Sequence, residues 1–399
     1  MSEPTLPVSK PSPGQRFARW WSDDAVPATP RGRARQRAIR RAVISSGLLV
    51  LAGSLVRLPL LVVSPGPVFN TIGEIGGKPM VSISGTETYP TSGALDMTTV
   101  SERGGSSGGV ALGEAIAGWF APHSSLIPRE VFYDPNESGA EVAERNDQAF
   151  ATSQSDAVAA ALHHLDIQTE DSVVVTFVGG GTPADGVVEA GDVIVSVNGT
   201  KVETPDQVVA AVRSAQVGQT ITMEVLRADA AGERSPKTLE VTTAANPSTD
   251  ASAAGKPWIG IAVGTLYEAP FDVDFAVQGV GGPSAGMMFS LAIYDQLTPG
   301  PLTGGGNVAG TGTIDPEGVV GPIGGIDKKL LGARSGGASL FLAPASNCGE
   351  VVGNVPDGLT VVPVTKLSEA IDTVTEWAGD QQATFPTCEQ VVDKAAARS

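Results

Sequence analysis

The chain has 399 residues, enough for two or three domains, and its 49 glycines and 29 prolines favour a loop-rich α/β or α+β protein over a helical bundle. The formal net charge of −17 argues against nucleic-acid binding, which needs a concentrated basic surface for phosphates. Residues 1–41, however, carry nine Lys or Arg against three Asp or Glu. We therefore expect this basic segment and the acidic remainder to lie in different surroundings.

Residues 42–63 are predicted to form a transmembrane helix. This run of 22 residues is interrupted only by Arg57 and Pro59, and as a helix it would extend about 33 Å, against about 30 Å for a bilayer core. Arg57 would lie near the outer edge, where its long side chain can reach the interface. A cleaved signal peptide is the alternative, but a basic region of about forty residues is too long for one.

Six arginines directly before this run set its predicted orientation: Arg31, Arg33, Arg35, Arg37, Arg40 and Arg41. Because positive residues stay on the cytoplasmic side, residues 1–41 are expected to form a cytoplasmic tail. The rest of the chain would then lie outside a bacterial cell membrane that it crosses once.

Residues 64–165 begin a mixed domain close to the membrane. Short apolar runs predict strands at Met80–Ser84 and Ala94–Val100, and a longer pattern predicts a helix at Gln154–Leu165.

Residues 166–246 form a separate pattern of strands with one short helix. Asn198-Gly199 predicts a hairpin, and Thr204 is the predicted N-cap of a helix over Pro205–Ala215, with Gln207 at the third helical position. The run at 182–198 (TPADGVVEAGDVIVSVN) resembles the bacterial PDZ fold. This resemblance implies a groove that binds peptide segments or peptide termini as an added strand. A small β-domain acting as a spacer is the alternative.

In that PDZ-like unit, the strand Val173–Val178 and the loop Gly179–Gly181 are expected to frame the groove beside the helix. The next predicted domain, residues 255–380, starts with alternating apolar residues, Phe271, Val273, Phe275 and Val277, which predict a strand.

A glycine-rich turn then leads into a helix predicted over Pro283–Leu297, with Ser284 just inside it. Unpaired backbone N–H groups and the positive end of the helix dipole suit an oxyanion there, so Ser284 is a candidate nucleophile. A serine that merely caps the turn is the alternative.

A base for Ser284 cannot be a histidine within the last domain, because the three histidines, His123, His163 and His164, all precede it. A buried lysine with a lowered pKa can take that role. On a helical wheel, Lys329 lies beside the apolar face of Ile326, Leu330 and Ala333, whereas Lys328 points to solvent. Two adjacent lysines on a solvated face are the alternative.

Gly282-Pro283-Ser284-Ala285-Gly286 and, 45 residues after the serine, the run PIGGIDKKLLGA together resemble the proteolytic domain of Lon-type proteases, which use a Ser-Lys dyad. The resemblance implies that Ser284 is the nucleophile, that Lys329 is the general base, and that Thr311 in Gly310-Thr311-Gly312 orients the lysine. Backbone N–H groups at Gly282 and Ala285 are the candidates for the oxyanion site. The chain departs from ATP-driven members at Gly281 and Thr313, where they often have acidic residues.

No Gly-x-x-x-x-Gly-Lys-Ser/Thr motif occurs in the chain, so ATP-driven unfolding is not expected. The order of segments resembles that of membrane-bound, PDZ-containing Lon-like peptidases. The implied fold class is α+β: a transmembrane helix, then a Lon-type domain that includes residues 94–165, with the PDZ-like unit inserted in it or adjoining it. Protein or peptide substrates are implied, and ring-forming relatives make a homo-oligomer an open expectation.

Cys348 and Cys388 both follow the predicted membrane segment, so an oxidising compartment favours a disulfide between them, two unpaired thiols being the alternative. Residues 381–399 form a C-terminal tail. No ligand cluster with metal-site spacing occurs, and no cofactor is predicted. The predicted function is an ATP-independent serine endopeptidase; the alternative is a catalytically silent membrane scaffold that binds peptide tails.

Overall fold

The structure is a computed structural model that describes residues 30–105, 108–133, 139–229, 232–277 and 279–397. The helices are α1 (Pro30–Leu55), α2 (Leu112–Phe120), α3 (Gly139–His164), α4 (Pro205–Ser214), α5 (Gly286–Leu297), α6 (Ile326–Ser335), α7 (Cys348–Val351), α8 (Leu367–Gly379) and α9 (Cys388–Ala396). Short 3-10 turns cover Arg129–Val131 and Ala345–Asn347.

Twenty-two strands are defined within the described residues: β1 (Arg57–Leu58), β2 (Leu60–Asn70), β3 (Glu74–Ile75), β4 (Lys78–Pro79), β5 (Val81–Ser84), β6 (Ala94–Arg103), β7 (Val110–Ala111), β8 (Ser125–Pro128), β9 (Glu170–Val178), β10 (Val193–Val197), β11 (Thr200–Lys201), β12 (Thr220–Ala228), β13 (Arg234–Thr242), β14 (Ala244–Ala245), β15 (Pro257–Trp258), β16 (Ile261–Glu268), β17 (Asp272–Phe275), β18 (Asn307–Gly310), β19 (Thr313–Ile314), β20 (Val320–Gly321), β21 (Leu340–Pro344) and β22 (Thr360–Val364).

The main sheet joins the early and late parts of the chain. Its six strands run in the order β22-β21-β18-β6-β2-β8. The early strand β6 pairs with β18, which comes some 200 residues later, and β2 and β8 extend the sheet beyond β6. The strands β6, β18, β21 and β22 are parallel, whereas β2 is antiparallel to both of its neighbours. The protein therefore combines parallel and antiparallel pairing in one mixed α+β domain.

Each face of this sheet carries its own helices, because successive strand residues point to opposite faces. On one face, Leu95, Met97 and Leu342 pack in a buried cluster with α3, α5 and α8. On the other, Phe341 packs with α6, α7 and α9. The predicted apolar residues Phe271, Val273, Phe275 and Val277 pack against the first cluster, as their alternation indicates.

A second sheet, with the order β13-β12-β10-β9-β16, has its own core and lies in the chain between the two parts of the main sheet. The predicted local features are confirmed: Asn198 and Gly199 both have positive φ in the β10–β11 hairpin, and the Thr204 hydroxyl accepts from the N–H of Gln207. The sheet extends beyond residue 246, because β16 pairs with β9 along its whole length.

The prediction of a transmembrane helix over residues 42–63 is wrong. The helix α1 ends at Leu55, and Leu61, Val62 and Val63 are buried in β2, which pairs with β6 and β8. These apolar side chains therefore complete the protein's own sheet. Within the described residues, no helix combines the length and apolar character needed to cross a bilayer.

Cys348 and Cys388 form a disulfide that joins α7 to α9 across 40 residues of sequence. Both cysteines are buried, and the helices that they join pack on the same face of the main sheet.

We predict that replacing both Cys348 and Cys388 by alanine lowers the free energy of unfolding by about 3 to 4 kcal/mol, because the closed loop restricts the unfolded chain. Urea denaturation of the wild-type protein and the double variant measures this difference. Adding a reductant should lower the stability of the wild-type protein only. Equal stability of both forms without reductant would contradict the prediction.

Candidate active site

Ser284 lies in a tight turn between β17 and α5. The helix begins at Gly286, three residues later than predicted, so Ser284 precedes the helix. The Ser284 carbonyl is not part of the helix because it accepts hydrogen bonds from the segment after β18. These come from the N–H of Gly312 at 2.9 Å and from the Thr311 hydroxyl at 3.0 Å. The turn is thus held by the segment after β18.

The helix α3 holds the same turn from the other side. The Asn146 carbonyl accepts a hydrogen bond from the N–H of Gly282 at 3.0 Å, and the buried Ser153 hydroxyl donates to the Pro283 carbonyl at 2.9 Å. Neither contact could be predicted from the sequence. They join residues about 130 positions apart, and no local motif marks Asn146 or Ser153.

Lys329 reaches the turn from α6. Its Nζ lies 2.7 Å from Ser284 Oγ and 2.8 Å from Thr311 Oγ1, and only 2% of the residue is exposed. Burial lowers the pKa of the Lys329 amine from its ordinary 10.5 to about 7. A substantial fraction of this lysine is therefore neutral near neutral pH.

Thr311 orients this amine. Its hydroxyl proton is committed to the Ser284 carbonyl, so its oxygen accepts a hydrogen bond from Lys329 Nζ. In the neutral amine, this contact leaves the lone pair free to face Ser284 Oγ. The structure thus brings together the three side chains that the motifs singled out.

Lys328 departs from its predicted position on the solvent side. It is only 8% exposed, and its amine forms an ion pair with Asp327 at 2.8 Å. The predicted apolar face of α6 is confirmed, because Ile326, Leu330 and Ala333 are all fully buried. A helical wheel treats the helix as isolated, so it does not account for burial by the rest of the fold.

The two backbone groups proposed for an oxyanion site differ. The N–H of Gly282 already donates to Asn146, so it is not available in this conformation. In the part of the chain that the structure describes, the N–H of Ala285 has no acceptor, and Ala285 is the N-cap of α5. The positive end of that helix therefore points at the turn.

A cleft of about 1220 Å³ opens onto these groups. Its walls are the end of β6, the glycine-rich turn, Phe132, and the loop that leads into α6. Both positions that depart from ATP-driven members, Gly281 and Thr313, line it. None of its described lining residues is a histidine: His163 instead lies against Tyr267 and the Pro316 carbonyl.

The second sheet has an edge strand beside a helix. Within the described residues, β16 is an edge strand, paired on one side with β9, and it lies beside α4. The strand Val173–Val178, expected to frame the groove, belongs to β9, which pairs with β16 along its length and with β10 at Val173 and Val174, so β16 rather than β9 forms this edge. The sequence alone could not show that a strand beyond residue 246 covers it.

Two family models match the chain. The model for the PDZ domain matches residues 151–243, and the model for the Lon protease (S16) C-terminal proteolytic domain matches residues 276–376. The chain contains a PDZ domain followed by a Lon-type proteolytic domain.

Individual relatives match a limited part of the chain. The Lon protease of Buchnera aphidicola subsp. Acyrthosiphon pisum is 40% identical over 93 residues, which cover 23% of this chain and 12% of the relative. The Lon protease of Rhizobium meliloti is 39% identical over 93 residues, 23% of this chain and 11% of the relative. Among solved structures, the PDZ domain of the SdrC-like protein from Listeria monocytogenes is 26% identical, covering 24% of this chain and 90% of that chain with a TM-score of 0.20.

We predict that burial of Lys329 makes stability depend on pH. In the unfolded chain the amine keeps its proton up to about pH 10.5, whereas the folded protein releases it at about pH 7. Between these values the unfolded state binds one more proton, so wild-type stability should rise by about 1.4 kcal/mol per pH unit relative to Lys329→Met. Below pH 7 the amine is charged in both states, so the free energy of unfolding is lowered by the full cost of burying a charged amine.

Urea denaturation of both forms at several pH values between 7 and 10 measures this difference. Lys328→Met, which replaces the neighbouring lysine, is the matched control for the loss of a lysine side chain. A constant difference between wild-type protein and Lys329→Met across this range would mean that the Lys329 amine stays protonated in the folded state.

Proposed function

We propose that the chain is a serine endopeptidase in which Ser284 is the nucleophile and Lys329 the general base. The observation that carries this proposal is the 2.7 Å separation of Lys329 Nζ and Ser284 Oγ, in a buried site where the lysine pKa falls to about 7. A base with a pKa near the working pH transfers protons efficiently.

In the proposed reaction, neutral Lys329 takes the proton of Ser284 as Oγ attacks the carbonyl carbon of the peptide bond. The resulting oxyanion is stabilised by the Ala285 N–H and the N-terminus of α5. The lysine then gives its proton to the leaving amine, and an acyl-enzyme remains. Water, deprotonated by the same amine, attacks the ester and releases the acid and Ser284.

The match to the Lon-type domain and the absence of a P-loop motif in the sequence support peptide hydrolysis without ATP. The PDZ domain supports recognition of a peptide segment or terminus along β16 and α4. The disulfide supports an oxidising, extracytoplasmic compartment. The membrane location of the chain stays a prediction from the sequence.

We predict that Ser284→Ala and Lys329→Ala each lower kcat by at least about a thousandfold without ATP, because each removes a group that acts in the covalent step. Lys328→Ala is the matched control. Because Lys328 pairs with Asp327 and not with Ser284, this variant should retain most activity. Release of fluorescence from quenched casein by the purified full chain measures the rates.

The rival function, a silent scaffold, gives a different result. A scaffold would bind tail peptides equally well in wild-type protein, Ser284→Ala and Lys329→Ala, and no form would cleave them. Cleavage by Ser284→Ala at the wild-type rate would contradict the assigned nucleophile.

We predict that Thr311→Val lowers kcat by about tenfold or more with little change in KM, because the amine loses the acceptor that orients it. Thr311→Ser keeps the hydroxyl and should restore most of the rate. Steady-state kinetics of both variants, with their unfolding transitions, separate orientation from stability. Equal losses in both variants would contradict the orienting role of the hydroxyl, because Thr311→Ser retains it.

A further inference from the structure

The helix α2 presents an apolar face that none of the described residues covers. Ile116, Trp119 and Phe120 are 52%, 75% and 81% exposed, and their spacing of three and four residues places them side by side. Together these three residues form the aromatic face of α2. Large aromatic side chains exposed together on one surface indicate a contact site.

The opposite face of α2 fixes the helix to the protein. Ala115 and Gly118 are buried, and a side chain at Gly118 would approach Val62 of β2 to within 3.0 Å. Leu126 of β8 packs into the same small cluster. The aromatic face is therefore held in a fixed outward direction by the sheet.

The end of α1 lies beside the start of α2. The N–H of Leu112 donates to the Val56 carbonyl at 3.2 Å, and the Leu112 side chain lies against Gly53. The last 14 residues of α1, 42–55, contain no charged residue. Earlier in α1, Arg35, Arg37 and Arg41 are exposed.

We infer that the aromatic face of α2 inserts into the interface of an anionic phospholipid bilayer. Tryptophan and phenylalanine are suited to the boundary between headgroups and acyl chains, and the adjoining residues 42–55 of α1 carry no charge that would oppose this contact. The arginines of α1 complement anionic headgroups. This contact is separate from any helix that crosses the membrane.

The position of the cleft agrees with this inference. Along β2 and β8, Val62 and Leu126 point towards α2, whereas Val63 and Ile127 line the cleft on the other face of the sheet. A bilayer against α2 would therefore leave the cleft open to substrate.

The test uses the full chain with vesicles of phosphatidylcholine and phosphatidylglycerol whose acyl chains carry bromine at different depths. The chain has five tryptophans, so the Trp119 signal is taken as the difference between wild-type protein and Trp119→Phe, which keeps the face apolar. Because an interfacial helix buries about 5 to 10 Å into the boundary, shallow bromines should quench this signal more than deep ones.

Phe120→Ser should reduce the quenching of Trp119 by at least about twofold, because it removes apolar area from the inserted face. Phe177→Ser is the matched control, since Phe177 is 46% exposed on β9 of the PDZ domain. Because both positions are exposed, both substitutions should leave the unfolding transition nearly unchanged.

Two results would overturn the inference. One is a Trp119 signal that bromine at no depth quenches. The other is self-association of the protein without vesicles that Phe120→Ser abolishes, which would assign the aromatic face to a second copy of the chain.

Discussion

The site depends on keeping one lysine amine buried and neutral. Lys329 is only 2% exposed. Burial away from water strongly favours the uncharged form of its amine. Its hydrogen-bond partners, Ser284 and Thr311, are uncharged hydroxyls, so neither stabilises the protonated form as a carboxylate would. The sheet and the helices α5 and α6 must therefore exclude water from this point, which explains why both helix ends meet there.

The helix α3 connects the turn of Ser284 to the PDZ domain. Its 26 residues extend about 39 Å. Near its start it bonds the turn of Ser284 through the Asn146 carbonyl, and near its end His163 packs edge-on against Tyr267 of β16. In the chain, β16 also leads through β17 directly to that turn. The edge strand β16 and the turn of Ser284 are therefore joined both through the backbone and through one packed helix.

Local chemistry could be predicted from the sequence, whereas long-range neighbours could not. Motif spacing and a helical wheel singled out Ser284, Lys329 and Thr311, which lie together in the structure. The helical wheel placed Lys328 in solvent, which is wrong because the folded protein buries this residue beside Asp327. The Asn146 carbonyl engages the N–H of Gly282, one of the two oxyanion candidates. Such contacts depend on tertiary packing, which a single helix or turn does not encode.

The misassigned transmembrane helix has the same physical origin. A strand buried on both faces carries a continuous apolar run, as a membrane-spanning helix does, so composition alone does not separate them. In β2, Leu60 and Val62 face α2 while Leu61 and Val63 face the other side. Pro59 and Arg57 were the residues in the sequence that indicated the end of the helix. A helix usually ends at or before the residue that precedes a proline. In the structure, Arg57 already pairs with Ala111 in a short strand. Read as a boundary rather than as a tolerated interruption, these two residues divide the apolar run into the end of a helix and the start of a sheet.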